Sequence, residues 1–89
     1  MKTTRINRQY FYRVMYFDPM QAKIKYTHNV DLTKARLDYL ESTRLINNSI
    51  LNSKSETLTN YLLECKKDIE QHGVRLCVEE VLSKATING

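Results

Sequence analysis

Tyr10, Tyr12 and Tyr16 lie an even number of residues apart, and Lys23 and Lys25 follow within the stretch YFYRVMYFDPMQAKIKY. These residue types, gathered on one surface, would make a stacking platform with counter-charge. Bases stack on tyrosine rings and phosphates pair with ammonium groups. Arg5 and Arg8 would extend such a contact along a nucleic-acid backbone. The same set also suits a protein interface, because tyrosine supplies wide contact area and a hydroxyl that tolerates a wet rim. Three occupants therefore compete for this surface: a second copy or the chain's own helices, a foreign protein, and a nucleic acid or nucleotide.

Other chemistry finds little footing. Cys65, His72 and Cys77 are the best metal-ligating set. Cys65 and His72, two helical turns apart, would stand roughly 10 Å from one another along the axis. One zinc spans only about 4 Å between ligand atoms. The serines and threonines fall at caps, turns and helix surfaces, and neither His28 nor His72 has a carboxylate beside it in sequence. That is a poor start for an activated nucleophile. Glu79 and Glu80 are adjacent and read as solvated surface, and two glycines in the whole chain are too few for a phosphate-cradling loop. No enzyme, cofactor or metal is expected.

The tyrosines and lysines need a hairpin to bring them together. Residues 9–17 are rich in aromatic and β-branched types and predict a strand. Residues 22–28, AKIKYTH, alternate and predict a second. Asp18-Pro19-Met20-Gln21 is the turn between them, with Pro19 presetting φ and Asp18 bonding the backbone ahead. A tight turn closed by Asp18 and Gln21 pairs Phe17 with Ala22, Met15 with Ile24, Arg13 with Tyr26 and Phe11 with His28. One face then carries Phe11, Met15, Phe17, Ala22 and Ile24, a core face. The other carries Tyr10, Tyr12, Tyr16, Lys23 and Lys25.

Two helices should cover the core face. Asp31 is a candidate N-cap for the first, with Leu32, Ala35, Tyr39, Ile46 and Ile50 on one side and Leu37, Leu40 and Leu51 on another. Asn47-Asn48-Ser49 marks its expected end. Ser53-Lys-Ser-Glu56 has the form of a capping box for the second, whose stripe is Leu58, Tyr61, Leu62, Cys65 and Ile69. Gly73 is placed to end it with a positive φ. Beyond, VRLCVEEVLSKA keeps a helical period for longer than it alternates, which favours a C-terminal helix. The alternative is a C-terminal strand with Val74, Leu76 and Val78 inward.

The expected object is a small α+β protein: a flexible basic arm over residues 1–8 and one domain over 9–86, with the TING tail loose. An 89-residue chain that is 42% apolar can fold, but with a thin margin. Residues 1–36 hold eight basic and two acidic residues, against six and eight in the remainder, so an anionic partner would meet the N-terminal half. Two cysteines in apolar stretches, a basic N-terminus with no apolar run behind it and no membrane-length apolar segment predict a cytoplasmic protein. Two strands alone make a poor sheet, so self-association is expected. The leading expectation is a non-catalytic accessory or inhibitor protein, of the kind phages and mobile elements encode, acting by occupying a partner protein. The alternative is a nucleic-acid or nucleotide binder using Tyr12, Tyr16, Lys23 and Lys25 with Arg5 and Arg8.

Overall fold

A computed structural model of the chain describes residues 4–84, with side chains over residues 8–79. The order of elements is β1 (Thr4–Asp18), β2 (Lys23–Asn29), α1 (Leu32–Asn52), α2 (Glu56–His72) and β3 (Arg75–Lys84). The strands form one antiparallel sheet in the order β2-β1-β3, and the fold is α+β. Where an arm was expected over residues 1–8, residues 4–8 continue strand β1 and pair with β3. Residues 1–3 and the TING tail lie outside the described residues.

The C-terminal helix is not formed; residues 75–84 make a strand. The reason lies in β1. It is fifteen residues long, and β2 pairs only with Tyr12–Asp18. The remainder would be an unpaired ribbon of backbone donors and acceptors. Gly73 has φ +59, a conformation L side chains rarely adopt, and it redirects the chain after α2. Ten consecutive pairs from Arg13↔Arg75 to Thr4↔Lys84 then satisfy that edge. Of the residues that kept a helical period, Val74, Cys77, Val78, Val81, Leu82 and Ala85, the β-branched Val78 and Val81 lie within β3 and suit a strand equally well.

The β1–β2 register also differs from expectation. Phe17 pairs with Ile24, Met15 with Tyr26 and Arg13 with His28, a shift of two residues. The turn is wider than the tight one expected. Asp18 Oδ1 accepts from the N–H groups of Met20 (3.0 Å) and Gln21 (3.4 Å). Ala22 follows with φ +54, and Asp18↔Lys23 closes the loop. Because side chains alternate with a period of two, a two-residue shift leaves each residue on its expected face.

The main core cluster joins Phe17 to Ile46 of α1 and to Leu62, Cys65 and Ile69 of α2, with Met15, Ala22, Ile24, Tyr39, Leu45 and Ile50 around it. Each fully buried large side chain contributes roughly 1.5–3 kcal/mol. Phe11, expected in this core, lies instead against His28. The opposite face is not free of the helices either, since its Val14 is fully buried. Asp31 caps α1 by accepting from Thr33 N, as its position suggests. However, α1 runs on to Asn52, past the Asn47-Asn48-Ser49 stop. The cap of α2 is Ser55, not Ser53, and Ser53 ends α1.

Ser42, in the middle of α1, is fully buried. Its hydroxyl donates to Met15 O (2.7 Å) and accepts from Phe17 N (3.0 Å). Strand β3 stops opposite Arg13, so β1 has no strand neighbour beyond that point on this side. One serine hydroxyl there takes the place of a ladder pair. It lets a helix lie against an open strand edge without stranding buried backbone groups.

Candidate interaction surface

The expected platform is divided between two environments. Tyr10 and Tyr12 pair across to Val78 and Leu76 of β3. Directly opposed residues share a face, so the four side chains form one apolar and aromatic patch. Tyr10 is 55% exposed, Leu76 55% and Val78 52%, while Tyr12 is half-buried. Strand β3 packs on β1 and has almost no contact with either helix. Leu76 and Val78, expected to point inward if this segment were a strand, therefore face solvent.

Tyr16 stands six residues from Tyr10, about 20 Å along the strand. It is half-buried, and its phenol is held above the usual tyrosine value, first by burial and then by the carboxylates of Glu41 and Asp38 on α1. Asp38 also accepts from Asn29 Nδ2 at 2.6 Å. Lys25 is bound to Asp18 at 2.9 Å, and that contact, reinforced by the Met20 and Gln21 N–H groups, holds the Asp18 carboxyl below the ordinary range. Lys23 is exposed and lies opposite Asp18 in the register. The Tyr16 end thus mixes lysines with three carboxylates. Arg8 is exposed and engaged within the protein, and Arg5 pairs with Ser83 in the ladder, its side chain outside the described ones.

On the reverse face, the corrected register assembles a group that the sequence alone did not show. His28, Arg13 and Arg75 form one row across β2, β1 and β3. The Arg13 guanidinium lies 5.6 Å from the Phe11 ring centre and 5.3 Å from that of Tyr26, and it contacts His28 Nε2 at 3.3 Å. The rings of Phe11 and His28 are 4.9 Å apart, and those of Tyr26 and His72 are 5.8 Å apart. Arg13 is visible in the sequence as the one charge inside an aromatic run. Its partners are not, because His28 needs the true register and Arg75 needs β3.

Among the described residues, no three His, Cys, Asp or Glu side chains come together as a metal site. Cys65 is buried in the core cluster, Cys77 lies opposite Phe11 on β3, and both are free thiols. None of the described helices is long and apolar enough to cross a membrane. Comparison with protein-family models, with curated proteins and with solved structures finds no match.

Proposed function

We propose that the chain is a non-catalytic binding protein that self-associates through the β1–β3 ribbon and acts by occupying a partner protein. The observation that carries this reading is the patch of Tyr10, Tyr12, Leu76 and Val78 on a ribbon that the helices leave uncovered. Scattered apolar residues on a surface are ordinary, but four in direct cross-strand register are a contiguous patch. A two-stranded ribbon is only marginally stable in water, so a second copy laid on this face gives the ribbon the backing it lacks. Among the described residues the outer edge of β3 also carries no strand neighbour, which offers a further pairing surface. Leu37 and Leu40, 59% and 61% exposed and one turn apart on α1, are one apolar surface that a foreign protein could use once the ribbon is covered. An accessory or inhibitor role in the cytoplasm fits such a chain, in keeping with its two free thiols.

The nucleotide or nucleic-acid reading of the Tyr/Lys face draws less support. The carboxylates around Tyr16 oppose phosphate, and Lys25 is already paired.

Sedimentation or light scattering over a range of concentrations tests the leading reading. Wild type should dimerise reversibly. Tyr10→Thr with Val78→Thr, which keeps β-forming residues at both positions, should weaken that dimer at least ~10-fold while leaving the helical circular dichroism unchanged. A strict monomer at all concentrations overturns the self-association. A dimer that dissolves steeply with salt would instead point to charge pairs between the copies rather than to the apolar patch.

A further inference from the structure

We infer that the open edge of β3 pairs with the same edge of a second copy, antiparallel about a two-fold axis at Cys77. The inference rests on the proposed self-association and gives that contact a geometry. Among the described residues β3 is an edge strand, with β1 on one side and almost no contact with either helix. Such an edge is normally blunted by a proline, a bulge or a lysine. RLCVEEVLS, residues 75–83, holds neither proline nor lysine, and ten consecutive pairs with β1 leave no bulge. Its outward backbone donors and acceptors therefore stand in a regular row that a further strand can meet.

Symmetry and charge together select the register. A two-fold axis normal to a sheet keeps each side chain on its own face, and directly opposed residues share a face. Such an axis must therefore fall at a residue that meets its own copy. Side chains of β3 are described over residues 75–79. Centring on Arg75 or Glu79 opposes like charges, which destabilises a strand pair. Centring on Leu76 or Val78 leaves Arg75 and Glu79 apart. Centring on Cys77 sets Arg75 of each copy against Glu79 of the other, and Leu76 of each against Val78 of the other. Arg75 and Glu79 are both exposed, and neither forms an ion pair among the described residues. Asp68 lines a cavity with Arg75 but makes no ion pair with it. Within one copy Arg75 faces Arg13, a like charge, and Glu79 faces Gln9. The added strand supplies the counter-charge that β1 does not. On the other face, the patches of Tyr10, Tyr12, Leu76 and Val78 from the two copies become one continuous surface.

Cys77 reports on this register directly. Opposed Cα atoms in an antiparallel ladder lie ~4.5–5.5 Å apart, inside the ~4.4–6.8 Å that a disulfide spans. Diamide, which takes up the two thiol hydrogens as the sulfurs join, should turn the full chain into a disulfide-linked dimer on a non-reducing gel. Cys77→Ser should abolish that band, because Cys65 is buried. In sedimentation at low salt, Arg75→Glu should weaken the dimer about 10-fold, since both cross-copy charge pairs become repulsive. Crosslinking should slow in the same variant. Adding Glu79→Arg to Arg75→Glu exchanges the charges and should restore both affinity and crosslinking. Both positions are exposed, so the fold of the single copy should tolerate these changes. A dimer whose Cys77 does not crosslink, or whose loss of affinity in Arg75→Glu is not recovered by Glu79→Arg, overturns the edge pairing and leaves the apolar-face contact standing. A strict monomer overturns both.

Discussion

The two ends of β1 live in different surroundings. From Val14 to Asp18 the strand has β2 on one edge, the Ser42 hydroxyl on the other, and the core cluster against Phe17. From Thr4 to Phe11 it has β3 alone, and the patch around Tyr10 faces water. One continuous strand thus supplies both the core of the fold and its most exposed aromatic surface. The contrast teaches that stability and binding are separated along one element. The first end is satisfied internally, and the second is left for something else.

Substitutions should divide along that line. Phe17→Ala should cost about 3–5 kcal/mol in denaturant unfolding, because a fully buried ring leaves a cavity among Ile46, Leu62 and Ile69. Ser42→Ala should cost about 2–4 kcal/mol, since Phe17 N–H and Met15 C=O lose their shared partner in a dry site. Were Ser42→Ala to cost less than about 0.5 kcal/mol, the serine would not be completing the strand edge, and the contrast between the two ends would weaken.

Hydrogen exchange sharpens the comparison without mutation. The amides of residues 14–17 should exchange only on global unfolding. Those of residues 5–9 should exchange faster in dilute protein and slow as concentration rises, if a second copy covers the ribbon. Slow, concentration-independent exchange at residues 5–9 would show that the ribbon is stable alone.

The turn gives the smallest effects. The folded-state pKa of Asp18 is depressed, so its contribution is present above the unfolded carboxylate value and lost as pH falls through the folded one. Stability should therefore decline on acidification below about pH 4, and Asp18→Asn should flatten that part of the profile. Ala22→Gly should stabilise by less than about 1 kcal/mol. Glycine relieves the left-handed φ but gives up a partly buried methyl. A clear loss of stability in Ala22→Gly would mean that the methyl's packing outweighs the strain.

Much of the helix-backed end was legible in the sequence. The sorting of β1 into alternating faces, the Asp18 turn bond, the Asp31 cap, the Leu62/Cys65/Ile69 stripe and the positive φ of Gly73 all follow from local chemistry. The register did not, because a turn of Pro19–Ala22 depends on a left-handed alanine that no propensity foretells. The interaction surface was half legible. Tyr10 and Tyr12 stand in the sequence as two rings on one face, but Leu76 and Val78 join them only once β3 is a strand. Tyr16, the same residue type at the same parity, ends beside α1 carboxylates.

What the sequence determined by itself is what short-range physics controls: side-chain alternation, caps, turn bonds and a helical apolar stripe. These depend on residues within a turn or two of one another. The tertiary structure decided the identity of residues 75–84, the use of Ser42 and the meeting of Arg13 with Arg75. Each of these turns on a strand edge that needs a partner from twenty-five or more residues away. An unsatisfied backbone edge outweighs the slight preference of VRLCVEEVLSKA for either conformation, and so the long first strand, not the last segment, fixes what the last segment becomes.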